Sequence, residues 1–303
     1  MNSLFRMLTA LGVAAALSPA YAALNVLATV PEWGSLAEVL GGDDVKVYVA
    51  TTALQDPHHV EAKPSLIARA RNADLVVSTG AELEVGWLPL VLQQAGNPKV
   101  RPGQPGYFEA AAYVTLLDKP TRLDRAEGDV HASGDPHIQT DPRNIARVAA
   151  ALTARMSELD PAKAESYRAR YKAFDEKWRT AIARWEREAA PLKGAPVLVQ
   201  HKGFTYLIAW LGIKQVAALE PKPGVEPTVA YLSEVLSIVQ RQPAKMVLRA
   251  AYQSDRASQW IAERAKIAAV VLPFTVGGDA EAKDLFSLFD DTIARLLKPL
   301  AQP

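Results

Sequence analysis

The chain has 303 residues, with 34 Lys and Arg against 33 Asp and Glu, five His and no Cys. A charge balance this close to neutral gives no electrostatic basis for binding nucleic acid or an anionic membrane surface. Without cysteine there are neither disulfides nor thiolate ligands, so any bound metal must rest on His, Asp and Glu.

Residues 1–22 carry one charge at Arg6, an apolar run from Leu8 to Leu17 and the small-residue pattern Ala20-Tyr21-Ala22. That order predicts a secretory signal cleaved after Ala22. The apolar run is too short to cross roughly 30 Å of hydrocarbon, and no later stretch approaches the roughly 18 apolar residues of a spanning helix. About 280 residues would remain, enough for two lobes with cores of their own.

Short β-rich runs then alternate with helical patterns: LNVLATV from Leu24, VKVYVA from Val45, PSLIARARNA, and DLVVSTG from Asp74. Strand, helix, strand order implies parallel pairing and an α/β lobe over residues 23–141. The alternation returns over residues 191–303 as PVLVQ, the helical GFTYLIAWLG and TVAYLSEVLSIVQRQ, the strand KMVLRA, the helical SQWIAERA and the strand IAAVVLPF. Between the lobes, over residues 142–190, Asp141-Pro142 and Asp160-Pro161 each place a capping acid before a first-turn proline. Two helices are predicted there, the second about 29 residues long. Tyr167, Tyr171, Phe174, Trp178, Ile182 and Trp185 recur every three or four positions and form one apolar stripe that should pack along both lobes. A continuous helix of this kind is stiff, so small local motions are expected on ligand binding rather than wide hinge closure. The segment Leu117 to Gly134, rich in charge and turn formers, reads as a mobile loop.

All five histidines fall in three windows: His58-His59 in LQDPHHVEAKPS, His131 and His137 in DVHASGDPHIQTDPRN, and His201 in VLVQHKGFTYL. Neutral imidazole is the commonest metal ligand because it offers a lone pair without burying a charge. His58 follows a strand by a loop, His201 ends a strand and His137 precedes a helix cap, and ligands of open α/β sheets bind beyond the carboxyl ends of strands. Asp-Pro-His occurs at Asp56-Pro57-His58 and again at Asp135-Pro136-His137, and each proline stiffens the backbone just before the histidine. Taken singly, each histidine is more often a solvated or capping residue than a ligand.

The ordered set DPHHVEAKPS, ARNADLVVSTGAELEVGWLP, DPHIQTDPRN, the long helix, QHKGFTYLIAWLG, EPKPGVEPT and TVGGDAEAKDLFSLFDD resembles the zinc and manganese substrate-binding proteins of bacterial ABC importers. The resemblance covers essentially the whole mature chain. It implies two α/β lobes with mostly parallel sheets joined by one long rigid helix, a metal site in the cleft between them, and a periplasmic location. It also implies three ligands, His58, His137 and His201, with His59 a neighbour. Relatives place an acid in the last loop of the second lobe, at the position of Thr275 here. Asp279 is the substitute fourth ligand, unless it merely caps the turn Gly277-Gly278-Asp279. Glu61 could ligate but is better read as orienting an imidazole. The long His-rich loop of many zinc-branch members is reduced here to a segment with the single His131.

The cargo implied is a divalent metal, Zn2+ ahead of Mn2+, since three imidazoles with at most one carboxylate suit four-coordinate zinc better than oxygen-preferring manganese. The partners implied are an ABC-transporter permease in the membrane and, as a further candidate, a metallochaperone; the chain is expected to be a monomer that binds no nucleic acid. Two rival classes share part of this pattern. A secreted zinc hydrolase would share the three-His pattern, but HExxH, G-x-S-x-G and Walker-type loops are missing, so no enzyme is expected. A surface adhesin could use Trp33, Trp87, Trp185, Trp210 and Trp260 as anchors, although core packing accounts for them more simply.

Overall fold

The computed structural model describes residues 23–120 and 131–301. The export signal read over residues 1–22 lies outside the described residues, as do positions 121–130 of the loop predicted between Leu117 and Gly134.

The first lobe comprises β1 (Leu24–Ala28), α1 (Pro31–Gly41), β2 (Val45–Val49), α2 (Pro64–Arg71), β3 (Leu75–Ser78), α3 (Leu88–Ala95) and β4 (Tyr107–Glu109). Its strands form a parallel sheet in the order β2-β1-β3-β4. Two helices, α4 (Pro142–Leu159) and α5 (Ala164–Glu188), follow. The second lobe comprises β5 (Pro196–Val199), α6 (Thr205–Leu211), β6 (Lys214–Ala218), α7 (Val229–Arg241), β7 (Met246–Ala250), α8 (Arg256–Ala265), β8 (Ala268–Leu272) and α9 (Leu285–Leu297). Its sheet is again parallel, in the order β6-β5-β7-β8. The two sheets share one topology, and in each the strand order reverses beside the first strand, where open α/β folds form a crevice for ligands.

Local chemistry sets the helix ends. The Asp141 side chain accepts from the Arg143 N–H and Pro142 occupies the first turn of α4, as the sequence predicts. The second capping expectation differs: Pro161–Lys163 form a 3-10 turn, α5 starts at Ala164, and the helix has 25 residues. The Asp160 side chain makes no cap hydrogen bond there and instead accepts from the Tyr167 hydroxyl at 3.2 Å.

The stripe on α5 ties the molecule together. Tyr167, Phe174, Trp178 and Trp185 are buried, with Tyr171 and Ile182 packed against the same core. Trp178 stacks on Phe174 and meets Phe286 and Phe289 of α9 edge-on, while its indole N–H donates to the Pro142 carbonyl at 2.8 Å. One continuous core runs from Trp33 and Leu36 in the first lobe through this stripe to Val197, Phe274 and Phe289 in the second. Separate clusters cover the outer sheet faces, under α2 and α3 in one lobe and under α7 and α8 in the other. Burying an indole of this size contributes several kcal/mol, so this shared layer holds the lobes in one relation.

Candidate metal centre

Three segments carry the histidines to the cleft, and each is held by the protein's own hydrogen bonds. After β2, the Asp56 side chain accepts from the His58 backbone N–H at 3.0 Å, closing an Asx turn, and Trp87 Nε1 donates to the Pro57 carbonyl at 3.0 Å. Gly86 lies against the same turn; a Cβ there would sit 3.3 Å from the His58 carbonyl oxygen. The second Asp-Pro-His repeats the motif, Asp135 accepting from the His137 N–H at 2.8 Å. The carbonyl of Asp135 takes the Tyr206 hydroxyl of α6 at 2.6 Å, which pins this segment to the second lobe. His201 lies two residues beyond β5, and the parallel pairing continues past the strands as Glu220 N–H donates to the Gln200 carbonyl at 3.0 Å.

The three rings converge. Centroids are 5.3 Å apart for His58 and His137, 5.6 Å for His137 and His201, and 6.0 Å for His58 and His201, with interplanar angles of 73°, 79° and 75°. One nitrogen from each lies within 4.8 Å of the others. Zinc bonded to nitrogens at about 2.0 Å in a tetrahedron spaces them roughly 3.3 Å apart, so closing on an ion needs movements on the order of an ångström. Gly203 makes room for the convergence: a Cβ there would lie 3.3 Å from His201 Cδ2 and 3.4 Å from His137 Cδ2.

Carboxylates set the direction of two rings. His58 Nδ1 lies 2.8 Å from Asp56 Oδ1, and His201 Nδ1 lies 2.7 Å from Glu220 Oε2, which also accepts from the Gly224 N–H at 2.8 Å. Each carboxylate favours a proton on Nδ1 and leaves the Nε2 lone pair for the interior, the arrangement that raises imidazole basicity toward a metal. His58 Nε2 and both ring nitrogens of His137 are buried without a hydrogen-bond partner. Buried polar atoms left unpaired each cost about 1–3 kcal/mol, and a cation shared by these lone pairs relieves that cost.

The electrostatics agree. Burial, then the neighbouring His58, His201 and His131 rings, holds His137 well below the ordinary histidine range, so it presents a free lone pair. Burial also opposes a charge on His201, but the Glu220 hydrogen bond and charge outweigh it and raise its pKa. Burial of Asp56 is likewise overcome by its bonds to His58, and its carboxyl is lowered.

Of the remaining sequence candidates, Asp279 and Glu61 are not among the converging ligand atoms, whereas His131 borders the group. Asp279 Oδ1 accepts from the N–H groups of Glu281 and Ala282 at 2.9 and 3.0 Å, and Oδ2 pairs with Arg295 at 2.6 Å. It therefore fills the turn-capping role, and the structure does not bring it into the group of converging ligand atoms. Glu61 is exposed, 4.0 Å from Lys63. His131 stacks on His58 with centroids 5.4 Å apart, and His59 lies 6.4 Å from His58 on the exposed side. Sequence reasoning missed Glu220, Gly203 and Phe274, whose ring packs edge-on to His137 at 5.3 Å. The Asx geometry of Asp-Pro-His could have identified Asp56.

Two parallel α/β lobes on a rigid helical spine, with three imidazoles converging in the cleft, define the class: a two-lobed binding-protein fold with a histidine centre. Residues 26–298 match the family described as zinc-uptake complex component A, periplasmic, and the chain belongs to that family. It is 25% identical over 243 residues to the zinc-binding lipoprotein AdcA of Streptococcus pneumoniae, covering 79% of this chain and 46% of AdcA. It is 25% identical over 162 residues to the manganese ABC transporter substrate-binding lipoprotein scaA of Streptococcus gordonii, covering 51% of this chain and 47% of that protein. The matches thus span about half the length of these relatives. A crystal structure of a ZnuA deletion mutant with zinc bound superposes with a TM-score of 0.74 at 24% identity, covering 93% of this chain and all of that one.

Proposed function

We propose that this protein captures one divalent transition metal ion, zinc ahead of manganese, outside the cytoplasm, and delivers it to the permease of an ABC-type importer. The observation that carries the reading is the convergence of three buried imidazoles from both lobes, two of them oriented by carboxylates that are not themselves ligands. His58, His137 and His201 are the ligands in this reading. Asp279 would have to leave Arg295 and two backbone N–H groups to reach the ion, and in this reading the fourth position falls to water. A set of three nitrogens without a carboxylate favours zinc, whereas manganese prefers more oxygen and higher coordination. Family membership and the export signal read over residues 1–22 support a periplasmic location, and the resemblance to importer components supports the permease as partner.

The test is metal content and zinc affinity of the mature protein, stripped with chelator and reloaded, beside His58→Ala, His137→Ala and His201→Ala. One zinc per chain, with tight binding lost in each variant, is expected. Tight binding that survives any one substitution removes that histidine from the ligand set. No tight binding of any divalent metal by the parent protein ends the reading.

A further inference from the structure

Glu32 and Thr275 meet across the lobes. Glu32 sits in the first turn of α1, directly beyond β1, where the strand order of the first sheet reverses. Thr275 lies in the loop after β8 of the other lobe, and its hydroxyl donates to Glu32 Oε2 at 2.5 Å across 243 residues of sequence. Both residues are buried, at 2% and 6% exposure, so solvent does not compete for the bond.

The residue before Thr275 shows what this contact holds. Phe274 has φ +70°, a left-handed conformation that bulky side chains rarely adopt and that persists only where the surroundings over-determine it. Its ring packs edge-on against His137 at 5.3 Å, Phe204 at 5.5 Å and Tyr252 at 5.6 Å. A Cβ on Gly203 would meet Phe274, His201 and His137 together, so the phenyl ring covers the His137 and His201 side of the centre. Beyond Thr275 the loop turns back on itself, Gly278 N–H donating to the Thr275 carbonyl at 3.0 Å, and Asp279 fastens it to Arg295 of α9. The Thr275 hydroxyl thus carries this loop across to the lobe that bears His58.

We propose that Glu32 is a positioning residue for metal retention: by holding Thr275 it keeps Phe274 over the histidine centre and slows the escape of a captured ion. The proposal rests on the metal-capture reading. An ion leaving on the Phe274 side must displace that ring, and displacing it breaks the buried bond to Glu32. Losing one such bond accelerates release by about tenfold, while the three ligands and the one-ion stoichiometry stay as they are.

The experiment compares metal-loaded parent protein with Thr275→Val, Thr275→Ser, Glu32→Ala and Glu32→Gln. Zinc release is timed by stopped-flow capture with excess chelator, and the Co2+-loaded forms are compared by visible spectroscopy. Thr275→Val and Glu32→Ala should release zinc about tenfold faster, Thr275→Ser and Glu32→Gln should retain the parent rate, and all Co2+ spectra should coincide. Release within twofold of the parent in Thr275→Val, which is isosteric and keeps the fold where Glu32→Ala could lose it, overturns the proposal. A changed Co2+ spectrum in either Glu32 variant also overturns it, because Glu32 would then touch the metal. If the parent protein holds no metal at all, the capture reading fails instead.

Discussion

Glu32→Gln should stabilise the metal-free protein above neutral pH and leave it unchanged near pH 4. Burial, reinforced by the nearby Glu84 carboxyl, pushes Glu32 from 4.5 up to about 7, against the lowering effect of its Thr275 hydrogen bond. Burial raises Glu84 as well, but that group accepts from Thr29 Oγ1, Thr79 N–H and Gly80 N–H at 2.6, 2.8 and 3.1 Å, so Glu32 is the less supported of the two. With its folded pKa above its unfolded one, Glu32 binds its proton more tightly in the native state. Below pH 4.5 both states are protonated and nothing is lost; from there to about pH 7 the unfolded chain ionises first, and stability falls until the native group ionises too. At 1.36 kcal/mol per pKa unit, the loss is about 3 kcal/mol, which Gln avoids while keeping an acceptor for Thr275. Urea unfolding of chelator-treated protein, followed by tryptophan fluorescence from pH 4 to 8.5, measures it. The variant should diverge upward from the parent across that window. Parallel curves for the two proteins would show that Glu32 is not held protonated by burial, and the reasoning would fail.

Other substitutions probe the centre itself. Asp56→Asn and Glu220→Gln should each weaken zinc binding by about 10–100-fold at unchanged stoichiometry, measured by chelator competition, because each loosens an imidazole it orients; an unchanged Kd would show that the ring directions are set by packing alone. Gly203→Ala, which forces His201, His137 and Phe274 outward by a few tenths of an ångström, should weaken zinc by roughly tenfold with little change in Tm. Asp279→Asn keeps the turn-capping oxygen and should leave zinc affinity within about threefold of the parent, whereas a loss of about 100-fold would place its carboxylate on the metal after all.

What could be read from the sequence, and what could not, divides along physical lines. The convergence of His58, His137 and His201 was legible because each sits in a short motif at a strand or helix end, and α4 was legible through Asp141-Pro142. The strand β6 was not: KQVAA is short, alanine-rich and half-exposed at a sheet edge, with no apolar alternation to mark it. Missing β6 also hid Glu220, which reaches His201 only because β6 pairs alongside β5. The capping box of α9, in which Asp284 and Ser287 exchange hydrogen bonds, uses Ser where Glu or Gln is the usual signal. The bond between Glu32 and Thr275 leaves no sequence trace, since it exists only once both lobes have packed on α5. Asp279 shows the converse: its place in the last loop suggested a ligand, and no sequence signal announced that Arg295 of α9 pairs with its carboxylate.

X-ray absorption of the zinc-loaded protein at one equivalent tests the central claim most directly. Three imidazole nitrogens and one oxygen at about 2.0 Å around a four-coordinate ion are expected, with one imidazole lost in each histidine variant that still retains metal. A shell of two or fewer imidazoles, or a coordination sphere unaffected by removing His137, would contradict it.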